Sequence, residues 1–208
     1  TAYEITCRDW SSDLCSSISD PSRINRIKAV LGTKSKVTLA DAMALQNDDS
    51  SDNGRKLAAL LAPLSSDDAV TAEGLKLIKG WNHETAVDSA AAALSEVWMS
   101  KHLGRALTAK AVPEKARSVI GPLDVAAVVA YLQAPDSALG ADPKAARDAL
   151  LLETLKAAME ELRQSLGPDT AKWNWGKLHH AQFDNALSPL AGGPDRAQLN
   201  VGRLAMGG

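Results

Sequence analysis

The sequence predicts a mainly α-helical fold, a multi-helix domain that ends in a short extended segment and a glycine-rich tail. Three observations carry this. Hydrophobic residues reach 45% of the 208 positions while aromatics supply only 4%, so the core must be built from Leu, Ala, Val and Ile, a mixture that suits helices better than a sandwich. Apolar residues recur at spacings of three and four along most of the chain. Capping residues and prolines mark where those runs begin, and glycines and prolines mark where they end.

In order along the chain, Ser19-Asp20-Pro21 offers a cap and a proline at the first helical position, and Ile24, Ile27 and Leu31 follow until Gly32. Thr38 and Asp41 have the spacing of a capping box, with Val37 as a hydrophobic staple, and that helix closes on the polar run from Asp48 to Asn53. Leu57, Leu60, Leu61 and Leu64 form the next stripe. Pro63 and Ser65-Ser66-Asp67-Asp68 end it and open a helix through Val70, Leu75 and Ile78 to Gly80. From Asp88 an alanine-rich run leads through Val97, Trp98 and Leu103 as one long central helix, which Gly104 ends or kinks. Pro113 and Pro122 bracket a helical turn, and Leu123 to Gln133 forms a helix stopped by Pro135. Asp142-Pro143 opens a helix that runs to Gly167, with Leu151, Leu155, Ala158, Leu162 and Leu166 on one face. Beyond Pro168 the helical period is lost. Leu178 to Phe183 reads as a short strand, and Gly192-Gly193-Pro194 and Gly207-Gly208 as a loop-like tail. No repeat or linker divides the chain, so residues 1–208 are read as one helical domain.

Composition removes several classes of function. The formal charge is −2, from 23 Lys and Arg against 25 Asp and Glu, with no basic cluster to neutralise phosphates, which argues against a nucleic-acid partner. No apolar run approaches the ~20 residues of a membrane span. Cys7 and Cys15 are the only cysteines. With no His or further Cys nearby they do not make a zinc site, and free thiols or a local disulfide are both compatible with the spacing.

Chemistry is sparse on the residues alone. His179-His180 is the pair best suited to catalysis or metal binding, but neighbours on a strand point to opposite faces and no acidic or thiol cluster accompanies them. His83 and His102 have no recognisable partners. An N-terminal threonine can act as a nucleophile with its own amine as base, yet no strand-rich scaffold follows Thr1 to hold it beside an oxyanion hole. Leu31-Gly32-Thr33-Lys34-Ser35 lacks the upstream glycine and preceding strand of a phosphate loop, and Gly32 is better read as a helix stop.

Five blocks, in order, resemble the large chain of the penicillin acylase family: Arg23 to Leu31, Val37 to Asp48 and Leu57 to Leu61, then Gly80-Trp81-Asn82 with Asp88 to Trp98, and finally Trp175-Gly176-Lys177-Leu178-His179 with Val201-Gly202-Arg203 and Gly207-Gly208. The resemblance implies an N-terminal-nucleophile amidohydrolase, in which self-cleavage exposes a serine whose hydroxyl attacks an amide carbonyl while its own α-amine takes the proton. An Asn side chain and a backbone N–H then stabilise the oxyanion.

The resemblance also places this chain as an internal helical segment of a larger acylase, with both the serine and the oxyanion Asn upstream of Thr1 and no catalytic residue within it. The implied partner is therefore the remainder of the acylase, its catalytic core. Arg23 matches the family's arginine that helps hold the oxyanion Asn and the substrate pocket. The residues equally allow a surface arginine in a first helical turn, with Arg26 competing for the alignment. The family's calcium draws an acidic ligand from just upstream, where Asp9 lies at a spacing that fits poorly, so this chain is expected to hold no cofactor or metal of its own. His179 is expected to orient local structure. A periplasmic or secreted location follows from the resemblance and would permit a Cys7–Cys15 disulfide. The rival reading is a stand-alone helical interaction module without hydrolase activity.

Overall fold

A computed structural model of the chain describes residues 21–117 and 123–208. The Ser19-Asp20 cap and Thr1, Cys7, Asp9, Cys15 and Pro122 lie outside the described residues.

The described chain is mainly helical, as the spacing of its apolar residues requires. The helices are α1 (Ser22–Leu31), α2 (Leu39–Gln46), α3 (Asp52–Leu61), α4 (Ala69–Lys79), α5 (Ala90–Val97), α6 (Gly104–Ala111), α7 (Glu114–Arg117), α8 (Val125–Gln133), α9 (Pro143–Leu166) and α10 (Gly193–Leu199). Most are started by a side chain. Ser51, Asp68, Ser89, Asp124 and Asp142 each accept a backbone N–H from the first turn of the helix that follows, satisfying donors that no helical carbonyl can reach. At α2 the capping box is complete: Asp41 N–H donates to Thr38 Oγ1 at 3.2 Å and Thr38 N–H to Asp41 Oδ2 at 2.9 Å. The first helix starts one residue later than its proline suggests, because Pro21 itself occupies the capping position. Asp52 and Asn53, read as part of a polar connection, form the first turn of α3.

The core is built around α9, which packs against α4, α5 and the segment after α5. Leu150, Leu151, Leu155, Ala158, Met159 and Leu162 are fully buried on it, and they meet Leu57, Leu61, Ile78, Leu94, Trp98, Leu103 and Leu132 from its neighbours. Each such leucine contributes about 1.5–3 kcal/mol of hydrophobic stabilisation. Inside this core Trp98 Nε1–H donates to Thr154 Oγ1 at 2.8 Å, so the buried indole is satisfied.

One of the two readings of Gly104 is excluded here, and the reading of the tail is corrected. The long central helix does not stop at Gly104. A π-helical segment, Trp98–Leu103, joins α5 directly to α6, and Gly104 keeps right-handed helical geometry at φ −62°, ψ −40°. The glycine-rich tail is not all loop. Gly193 takes a positive φ of 48°, with Pro194 beside it in the first turn of α10, and the chain then returns as strand β2 (Val201–Ala205) beside β1 (His180–Phe183). The two strands are antiparallel, pairing His180 with Ala205, Ala181 with Leu204 and Phe183 with Val201 across a bulge between Ala181 and Phe183.

Extended loops are tied together on one side of the helices. Ser50 and Glu84 form an isolated antiparallel bridge, Thr85 N–H donates to Asp49 O at 2.9 Å, and Gly208 N–H donates to Thr85 O at 3.1 Å. Nearby, Gly176 N–H donates to Val87 O at 2.8 Å. These contacts bring α1, the start of α3, the 83–87 loop and the chain's last residues to a common place. Among the described residues no helix is long and apolar enough to cross a membrane.

Candidate functional site

The place where those elements meet is a cavity of about 660 Å³. Its walls include Arg23 and Arg26 from α1, Asp48 to Ser51 from the α2–α3 connection, Asp52 and Asn53 from the first turn of α3, Thr85, Glu96 from α5 and Gly208. The local sequence explains the arrangement. Asp48 and Asp49 lie just beyond the end of α2, where backbone groups no longer have helical partners, so this loop pairs instead with residues 83–85. Thr85, only 4% exposed, adds a second bond to the Asp49 carbonyl through its hydroxyl at 2.8 Å. Gly207 passes close by. A Cβ there would lie 3.0 Å from Thr85 O and 3.3 Å from Asp49 Oδ2, a tight approach in which these groups would have to give by a few tenths of an ångström.

One ion pair crosses the cavity wall. Arg26 directs Nε and Nη2 at the same oxygen of Asp48, at 2.9 and 2.6 Å, and Ser50 N–H donates to the other oxygen at 3.1 Å. The bond from Arg26 holds the Asp48 carboxyl below its ordinary pKa, helped by Ser50. Glu96 goes the other way: burial pushes its carboxyl upward, and the charge of His179 opposes that only in part. The Glu96 carboxylate makes no hydrogen bond to a described residue.

The lowered Asp48 pKa carries a testable sign. A folded-state pKa below the unfolded one adds stability that is complete above the ordinary carboxylate range, near pH ~4, and disappears as pH falls through the depressed value. The Arg26 side chain is 46% exposed, so solvent screens the pair and its worth is up to about 1 kcal/mol. The gap in urea midpoint between the unsubstituted chain and Asp48→Asn should be steady at neutral pH and narrow progressively as pH falls below about 4. A gap of equal size at both ends would show that the pair does not titrate as described.

The sequence-selected residues are placed as follows. Arg23 lies on the exposed side of the first turn of α1, at the cavity mouth, with no hydrogen bond or ion pair to another described residue. Arg26, its competitor in the alignment, is the one that is paired. His179 stacks on the Trp175 ring, with centroids 5.0 Å apart and planes 13° from parallel, and its Nδ1 lies 3.2 Å from Met206 O beside the end of β2. His180 begins β1. His102 pairs through Nε2 with Glu161 at 2.8 Å on the outer side of α9, and His83, at a positive φ of 65°, lies tilted against Trp81. The histidines are thus scattered.

Among the described residues no group of three His, Cys, Asp or Glu side chains converges to hold a metal ion. Sequence reasoning missed Asp48, Thr85 and Glu96. Glu96 had a signal, as the one charged residue in the alanine-rich run Ala90 to Val97. Asp48 and Thr85 had none, since both are placed by contacts between separate loops.

The cavity supplies cationic and carboxylate groups around a partly enclosed space. Ser51 Oγ, on the same wall, accepts Gly54 N–H at 3.1 Å as the cap of α3. Residues 2–208 match penicillin amidase, and the chain belongs to that family. It is similar to the acyl-homoserine lactone acylase QuiP of Pseudomonas fluorescens strain Pf-5, at 26% identity over 94% of this chain and 28% of that protein. A shorter stretch is 36% identical to the protein of the same name from strain Pf0-1, over 29% of this chain and 8% of the relative. The chain thus spans well under a third of the length of these curated relatives.

Proposed function

We propose that this chain is a helical portion of an N-terminal-nucleophile amidohydrolase that cleaves linear amides, such as the acyl amide of an N-acyl homoserine lactone or the side-chain amide of a β-lactam. The observation that carries this reading is the family match over residues 2–208 in a chain that covers 28% of its longer-matching relative. In the parent enzyme a serine hydroxyl adds to the amide carbonyl, the α-amine of the same serine takes its proton and returns it to the leaving amine, and water then releases the acid from the ester. Both the serine and the oxyanion-binding Asn belong to parts of the parent outside this chain. The chain contributes a wall to the acyl pocket, with Arg23 at the cavity mouth in a supporting role toward the oxyanion Asn. Location in the periplasm or outside the cell belongs to the same reading, as does any calcium of the parent.

The experiment compares the parent polypeptide with the 208-residue chain on a fatty-acyl homoserine lactone and on a chromogenic phenylacetyl amide. Turnover by the parent alone is expected. Robust turnover by the isolated chain would overturn the assignment of the nucleophile, and a parent inactive on both amides would favour a helical interaction module.

A further inference from the structure

The β1–β2 ribbon turns an apolar face outward. Arg203 Nε donates to Gln182 Oε1 at 3.3 Å, which places these two polar residues on one face, and Ala205 shares that face against the body of the protein, close to Gly176. Alternation along the strands puts Ala181, paired with Leu204, and Met206 on the other. Leu204 is 51% exposed and Met206 46%, and Phe183 and Val201, which pair with each other at the far end of the ribbon, are exposed as well. Antiparallel sheets ordinarily bury their apolar face, and a two-stranded ribbon is marginal by itself. Beyond the bonds between β1 and β2, neither strand pairs with a further strand among the described residues, and every residue of β2 is exposed. An edge of this kind is a template for another strand.

The charge on β2 decides between occupants. A second copy pairing symmetrically with Val201–Ala205 would set Arg203 directly opposite Arg203, because Arg203 is the middle of the five residues. Like charges facing each other across a strand pair are destabilising. A different strand, apolar where it meets Leu204 and neutral or acidic opposite Arg203, has no such conflict. The chain spans only 28% of its longer-matching relative, so most of a family-length polypeptide lies outside it. We infer that the outer edge of β2 docks an extended, apolar strand from the remainder of the parent amidohydrolase, extending the ribbon into a larger sheet. This rests on the reading of the chain as part of a longer enzyme, and it names the surface by which the two parts join.

Hydrogen exchange on the full parent polypeptide tests this. Docking protects every amide from Val201 to Ala205, slowing exchange by roughly two orders of magnitude relative to an open edge. Leu204→Lys in the same polypeptide should return alternate amides of β2 to fast exchange and lower the melting temperature. Alternate amides that exchange at the rate of exposed loops in the unsubstituted parent would overturn the inference. So would protection that disappears on dilution, which would assign the edge to a second copy. Amidase activity is read separately: a protected β2 in an inactive parent keeps the docking and removes the function, and an open β2 in an active parent does the reverse.

Discussion

Replacing Trp98 with alanine is expected to lower the unfolding free energy by about 3–5 kcal/mol. Trp98 is fully buried in the π-helical segment, the largest of the fully buried side chains among the described residues. Its loss removes the ring's packing against α9 and also the donor that Thr154 Oγ1 accepts at 2.8 Å. Thr154 keeps its own bond to Leu150 O at 2.7 Å, so the residual damage is mainly a cavity. Trp98→Phe separates the two contributions: most of the ring remains, the Thr154 oxygen loses its donor, and the expected cost falls to about 1–3 kcal/mol. Urea titrations read both, with a shifted midpoint at unchanged slope. A Trp98→Ala cost below about 1 kcal/mol, the size of an ordinary surface change, would contradict the burial described.

The second large effect is expected at Gly54, in the first turn of α3. A Cβ there would lie 2.6 and 2.7 Å from two carbons of the Trp81 ring and 2.8 Å from the capping Ser51 oxygen. The ring has little room to yield, since Trp81 is 6% exposed and its Nε1–H is held by Glu84 O at 2.8 Å. Gly54→Val should therefore cost about 1–3 kcal/mol through overpacking. Gly54→Ala is the sharper test. Helix propensity alone favours alanine by about 1 kcal/mol, so a net loss of stability reports the collision and a net gain would show that the ring moves freely. Because Glu84 bridges to Ser50 and Thr85 bonds to Asp49, displacement of Trp81 also disturbs the cavity wall. Near-ultraviolet circular dichroism of the tryptophans should change in step with the stability loss.

How far the sequence foretold this structure depends on the range of the interactions involved. Helix α9 was legible at both ends because Asp142, Pro143 and Gly167 are local signals that act on their own neighbours. The capping box at Thr38 and Asp41 was legible for the same reason. The π-helical segment was not, since its cause is the fit of Trp98 and Leu103 to distant helices and a glycine after it reads equally as a stop. Strand β2 was hidden because its partner lies 20 or so residues away and Gly202 weakens its five-residue pattern. The candidate site divides in the same way. Arg23 was found from a block that resembles a family, whereas the Arg26–Asp48 pair joins residues 22 positions apart across two elements.

The π-helical segment makes α5 and α6 into one rod with a change of phase. An α-helix turns about 100° per residue, and a π turn carries one residue more than an α turn, so positions beyond Leu103 are rotated by about that angle from where an unbroken helix would put them. Upstream, Ala92, Ala93, Leu94 and Val97 are buried toward α4 and α9. Downstream, the buried position is Leu107, on the stretch that meets α8 as well as α9. One chain segment thereby addresses two sets of neighbours without a loop between them, and the extra residue acts as a fixed gear between the half of the molecule that carries Glu96 and the half that does not.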